Sequence, residues 1–142
     1  MKSIASCLFA LTIIAIFTPS TSAQQVMRRV EEPTPLDASD PRAVQAAAVV
    51  KPILAGERTA ALEALRKEAD AGYAKGDTIE KDVDAHIKRL STGKYKIQSF
   101  EVGFGADVVV FLTNEKGETT NLVVRYNGDK KITGFAEAKI QR

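Results

Sequence analysis

Between Asp40 and Gly93 the apolar positions recur every three or four residues, and from Tyr95 onward they alternate. The first pattern predicts helices and the second predicts strands. Asp40-Pro41 opens the first helix, because an aspartate side chain can accept from free backbone N–H groups and proline suits the first helical position. Ala43, Ala46, Ala47, Val50, Ile53 and Leu54 then form a stripe at helical spacing. Pro52 lies inside that stripe and predicts a kink or a break into two pieces; Gly56 closes the segment. A second helix over residues 58–69 places Ala61, Leu62, Leu65 and Ala69 on one face and Glu63, Arg66, Lys67 and Glu68 on the other. Residues 71–76, with Gly72, Tyr73 and Gly76, read as a loop. The third helix starts at Asp77 and Glu80, which have capping-box spacing with Asp in place of Ser or Thr. Ile79, Val83, Ile87 and Leu90 line one of its faces. Acids at its start (Glu80, Asp82, Asp84) and bases at its end (Lys88, Arg89) match the helix dipole. Gly93 ends it.

The alternating half divides into four strands. Residues 95–104 alternate with a slip between Ile97 and Phe100, which predicts a bulge near Gln98-Ser99. Residues 103–106 make a turn into a strongly apolar strand over 107–114. Residues 114–117 turn the chain into a strand over 119–126, and Asn127-Gly128 is a hairpin signal because both residues tolerate positive φ. A last strand runs from about residue 131 to 140. Tight turns between strands imply an antiparallel meander, and strands arriving after helices imply the α+β class: two or three N-terminal helices on a curved four-stranded sheet. Val108, Val110 and Leu112 alternate with Val109 and Phe111, and Leu122 and Val124 with Val123, so the middle strands are apolar on both faces. One face receives the helices. The other needs sheet curvature, a partner subunit or a ligand to cover it.

The N-terminus reads as an address. Lys2 is followed by an uncharged apolar run over residues 4–17, then by Pro19 and small residues, with Thr21 and Ala23 in the small-x-small pattern. This predicts a signal peptide over residues 1–23, cleaved after Ala23, and a secreted or periplasmic product. As a helix the run reaches about 21 Å, short of the roughly 30 Å hydrocarbon core, so the chain is not expected to span a membrane. Cys7 sits inside the run instead of at its end, which argues against a lipoprotein. Residues 24–40, with Pro33 and Pro35, read as a flexible lead-in. Residues 41–142 remain as one α+β domain.

Composition narrows the classes further. The chain of 142 residues is 44% hydrophobic and 27% charged, which excludes disorder over its whole length and a collagen-like repeat. Twenty Lys and Arg stand against eighteen Asp and Glu. Removing Lys2 and Cys7 with the signal leaves a nearly neutral chain without cysteine, which must be stable without disulfides. No asparagine stands in an Asn-x-Ser/Thr sequon. Near-neutral charge gives no reason to expect a nucleic-acid partner. Lys88, Arg89, Lys94 and Lys96 form a small basic cluster that the helix dipole half explains, and no aromatic ladder accompanies it.

Few residues offer chemistry. His86, the single histidine, lies four residues after Asp82 on the third helix, so the two can meet on one face. They are the candidate general base and its orienting acid; the alternative is a boundary histidine in an ordinary ion pair. Asp84 points about 200° away from Asp82 on a helix, so Asp82, Asp84 and His86 do not converge on a metal, and no metal or cofactor is expected. Ser39, Ser91 and Ser99 lack a strand–turn–helix elbow. Gly103-x-Gly105 has no helix after it and is a turn, not a dinucleotide loop. Arg125, between Val124 and Tyr126, either faces water or enters a concavity and binds an anion beside Tyr73. Tyr73 and Arg125 are therefore the candidate ligand-binding pair.

Helices before an antiparallel sheet that ends in Tyr126-Asn127-Gly128-Asp129-Lys130-Lys131-Ile132-Thr133-Gly134-Phe135 resemble the nuclear transport factor 2-like superfamily. The segment Ile53-Leu54-Ala55-Gly56-Glu57 resembles the helix-then-small-turn start of many members. A cystatin-like arrangement, with a helix across a four-stranded meander, is the near neighbour. The resemblance covers roughly residues 41–142 and implies a concave pocket between sheet and helices, though no particular reaction. The resulting expectation is an exported non-enzymatic module that binds a small ligand or a protein, with a homodimer through the second sheet face as one arrangement. Two alternatives stand beside it. One is a pocket enzyme of the isomerase or dehydratase type using His86 and Asp82. The other is an inhibitor of a secreted or periplasmic hydrolase, with the turns at 103–106 and 114–117 as its tips.

Overall fold

The structure, a computed structural model, describes residues 34–138. The predicted signal peptide and the lead-in up to residue 33 lie outside the described residues. A short strand β1 (Thr34–Leu36) precedes helices α1 (Pro41–Ala55), α2 (Arg58–Glu68), α3 (Ala71–Lys75) and α4 (Thr78–Leu90). Strands β2 (Lys96–Val102), β3 (Val108–Thr113), β4 (Thr119–Tyr126) and β5 (Ile132–Ala136) follow. All are antiparallel and lie in the order β1-β2-β3-β4-β5. The fold is α+β, with one strand and one short helix more than the sequence pattern predicts. Among the described residues no helix is long and apolar enough to cross a membrane.

The extra strand comes from the supposed lead-in. Thr34 pairs with Val102 and Leu36 with Phe100. Three residues containing a proline carry no alternation to read; the free edge of β2 supplies the partner, and Leu36 packs on the core. The extra helix, α3, replaces the predicted loop at 71–76. Asp70 caps it by accepting from the Gly72 N–H at 2.9 Å.

Local chemistry explains the helix ends. Asp40 accepts from the Arg42 N–H at 2.8 Å, as the Asp-Pro signal predicts. Pro52 does not break α1. It stands in the last turn, where only the bond to the Ala48 carbonyl is lost, and the helix closes just beyond it. There the Glu57 N–H reaches the Pro52 carbonyl (2.9 Å) and the Gly56 N–H reaches that of Ile53 (3.1 Å), a Schellman closure. Asp77 does not form the predicted capping box: its backbone is already helical and its side chain makes no cap bond.

The helices cover one face of the sheet. Val49, Val50, Ile53, Leu65, Val83 and Leu90 meet Val108, Val110, Leu112, Leu122 and Val124, all at 0% exposure. The main core lies at this interface. On the opposite face Val109, Phe111 and Val123 are also buried and pack with Ala136 and Ala138.

The bulge in β2 falls between Ile97 and Ser99, as the sequence predicts. A second register shift, between Arg125 and Tyr126, leaves Thr133 unpaired opposite them. It explains the glycine that follows: Gly134 sits at φ 153°, a backbone that side chains rarely adopt. The Asn127-Gly128 hairpin differs from expectation. Its left-handed residue is Lys130 (φ 60°), and Gly128 has no positive φ. Asn127 acts as an acceptor instead, its Oδ1 taking the N–H groups of Asp129 and Lys131, both at 3.0 Å.

Candidate functional site

The 3.6-residue helical repeat sets Asp82, His86 and Arg89 along one face of α4. The structure gives each its own partner. Asp82 Oδ2 accepts from the Tyr73 hydroxyl at 2.7 Å, and no hydrogen bond joins it to His86 among the described residues. The predicted acid–imidazole pair is thus not assembled. Burial, reinforced by the Asp82 bond and charge, pushes the Tyr73 phenol far above its usual pKa and keeps it a donor. The His86 ring meets Phe135 edge-on, with centroids 5.3 Å apart. Its Nδ1 is buried with no hydrogen-bond partner among the described residues. Desolvation lowers its pKa, the Arg89 charge lowers it further, and Asp82 and Glu137 oppose this. The imidazole is half-buried, and its desolvation favours the neutral form.

Arg89 closes the end of the sheet. It donates to Thr120 Oγ1 (3.2 Å) and to the Asn121 carbonyl (3.3 Å). Its Nε lies 2.8 Å from Glu137 Oε1, in an ion pair whose line misses hydrogen-bond geometry. The need for a closure is topological. The β4–β5 ladder ends at the pair Val123–Ala136. Beyond it the Asn121 side chain takes over, donating to the Ala138 carbonyl (2.7 Å) and accepting its N–H (2.9 Å). The basic cluster seen in the sequence therefore divides, with Arg89 turned inward.

Arg125 and Tyr73 are not brought together. Val124 and Tyr126 belong to the core under the helices, so Arg125 between them projects from the far face. Its side chain is 61% exposed and stands 3.7 Å from Asp107 Oδ2. Asp107 Oδ1 in turn accepts the Tyr126 N–H at 3.1 Å. Arg125 faces water, the simpler of its two expected placements. Asp84 pairs with Arg58 at 2.6 Å, pointing away from Asp82 as the helical angle requires. Among the described residues no group of three His, Cys, Asp or Glu side chains converges as a metal site.

The open surface lies elsewhere, along α1. The exposed positions of α1 are Pro41, Val44, Ala48, Lys51 and Ala55, which carry one charge. On α2 the corresponding positions are Arg58, Thr59, Glu63, Arg66 and Lys67. Val44 is 54% exposed. Three open hollows flank this helix face. One of about 420 Å³ is bounded by Lys51, Leu54, Ala55, Tyr95, Lys96 and Ile97. The next, about 410 Å³, shares Lys51 and Ile97 with it and continues past Ala47, Ala48 and Val44 to Phe100. A third, of about 610 Å³, lies on the other flank against Arg42, Gln45, Glu68 and Lys130. Tyr73, Asp82, His86 and Arg125 line none of the three. Sequence reasoning tracked the buried stripe of α1 and missed this face. The signal was available: residues 41–55 contain only Arg42 and Lys51 as charges, too few for an ordinary surface helix.

One hairpin tip is also notable. Phe104, between β2 and β3, is 95% exposed, in a turn closed by the Gly103 N–H to the Asp107 carbonyl (2.7 Å) and the Asp107 N–H to the Phe104 carbonyl (3.2 Å). No protein-family model matches this chain, and no curated protein or solved structure shows a significant match to it.

Proposed function

We propose that this protein is an exported, non-enzymatic binding module that docks a protein partner on the outer face of α1. The observation that carries the reading is that face itself: Pro41, Val44, Ala48 and Ala55 stand in water with Lys51 as their single charge, between open hollows. A helix apolar on all sides is stable when both sides are covered. Tyr73 is engaged with Asp82 and Arg89 with the end of the sheet, while His86, with its Nδ1 unpartnered among the described residues, lies half-buried against Phe135 and lines none of the three hollows. Export rests on the signal pattern of residues 1–23. Helices preceding a meander support the nuclear transport factor 2-like or cystatin-like relationship.

The test is Val44→Asp, which places a charge in the centre of the face while leaving the core untouched. Partner capture from the exporting compartment should fall about tenfold or more. Unchanged capture by a folded Val44→Asp protein sinks the docking surface. His86→Ala should leave capture intact; loss of a turnover at unchanged stability would instead favour the isomerase- or dehydratase-type enzyme. Intact-mass measurement of the exported protein checks cleavage after Ala23. A second reading, the hydrolase inhibitor, is supported by Phe104 alone, an aromatic held out on a closed turn. Phe104→Ala should abolish inhibition under that reading and leave α1 docking unaffected.

A further inference from the structure

The two hollows between α1 and β2 form one trough, because they share Lys51 and Ile97. Its floor is apolar: Leu54, Ile97 and Phe100 pack on the core, and Ala47, Ala48 and Ala55 leave room for close approach. Its charges are of one sign. Lys51 and Lys96 border it, and among the described residues neither is in an ion pair. No acidic side chain lines either hollow. From Val44 to Ala55 the trough runs about 16 Å, the span of about five extended residues.

Two backbone features lie beside it, at residues that line the hollows. β1 pairs with β2 only from Phe100 to Val102, so the edge of β2 from Lys96 to Ser99 has no strand partner among the described residues. Pro52 has no N–H, so the Ala48 carbonyl lacks its helical donor. We propose that this trough takes an extended acidic segment of a partner polypeptide, with carboxylates at Lys51 and Lys96 and an apolar side chain on Ile97. The proposal rests on the α1 docking reading and adds the chemistry of the partner. The bulge after Ile97 interrupts a continuous ladder, so side chains carry the selection.

Charge decides against two other occupants. A second copy meeting the trough about a two-fold axis through it would bring Lys51 and Lys96 against their own copies, with no acid lining the trough between them. A lipid surface suits a helix with Trp, Phe or Leu outward and a strongly basic border, and α1 presents valine and alanine with one lysine.

The experiment pans a random twelve-residue phage-displayed peptide library on three exported proteins: wild type, Lys51→Glu/Lys96→Glu and Val44→Asp. Circular dichroism confirms the fold of each. The proposal expects wild type to enrich peptides combining Asp or Glu with Leu, Ile or Val. A synthetic winner should bind about tenfold more weakly to the double lysine variant, and also more weakly as salt rises. Enriched peptides without acids, lost only with Val44→Asp, would overturn the acidic assignment and keep the docking face. Enrichment indifferent to both variants, or none at all, would remove both. Wild type is also floated with vesicles of equal phosphatidylglycerol and phosphatidylcholine. Flotation abolished by the lysine changes would give the trough to a lipid surface and overturn the peptide.

Discussion

Two hairpin loops in this protein are built on one plan with different residues at the critical position, which makes an internal control. In the β3–β4 loop Asn114 accepts the Lys116 and Glu118 N–H groups at 3.0 and 2.9 Å, and Gly117 takes the left-handed backbone at φ 77°. In the β4–β5 loop Asn127 accepts from Asp129 and Lys131, and Lys130 takes that backbone at φ 60°. A side chain in that region costs about 1–2 kcal/mol, while a glycine gives up about 0.5–1 kcal/mol more chain entropy on folding. Lys130→Gly should therefore stabilise the protein by roughly 0.5–1 kcal/mol. Gly117→Ala should destabilise it by about the same amount. A Cβ at Gly117 would meet nothing within 4 Å, so that cost is purely backbone. Urea unfolding reads both: midpoints should move by about 0.5 M in opposite directions at constant slope. A Lys130→Gly midpoint that falls, or a Gly117→Ala midpoint that stays put, refutes the argument. Either would mean that the loops relax out of the left-handed conformation.

Further perturbations test the polar end of the sheet. Asn121→Ala removes two hydrogen bonds to Ala138 and should cost about 1–2 kcal/mol in urea unfolding, with faster amide exchange at Ala138. Tyr73→Phe removes the bond to Asp82 and should cost about 1 kcal/mol; a neutral result would show that water replaces the hydroxyl equally well. Because the folded pKa of His86 is lowered, the unfolded chain takes up its proton first. The contribution of His86 is thus complete above about pH 6.5 and is lost as pH falls from there toward the folded pKa. His86→Gln should flatten that limb of the melting-temperature profile relative to wild type, and parallel profiles would contradict the assignment. Arg125→Ala, with an exposed guanidinium 3.7 Å from Asp107, should change stability by less than about 0.5 kcal/mol by thermal melting.

Much of this architecture was legible from local chemistry. The helices at 41–55, 58–68 and 78–90 follow apolar periodicity and the Asp-Pro start, and the four main strands follow alternation and turn residues. The β2 bulge was visible as a slip in phase. Some differences were local, such as the short helix capped by Asp70 and the turn set by Asn127, and others were choices made by a distant partner. Thr34–Leu36 is a strand because the edge of β2 was free, and Pro52 is tolerated because α1 ends in a Schellman closure beyond it. Asp82 and His86 have the spacing of a pair, but Tyr73 arrives from α3 and takes the carboxylate.

The sequence by itself determined the class of fold and the order of its longer helices and strands, because periodicity and turn chemistry act within a few residues. Only the tertiary structure decided which surfaces remain open. Both faces of the central strands are apolar in the sequence, yet Val109, Phe111 and Val123 are buried, and the exposed apolar face is that of α1. Burial depends on what lies across the fold, and no local pattern records which of two apolar faces will be covered.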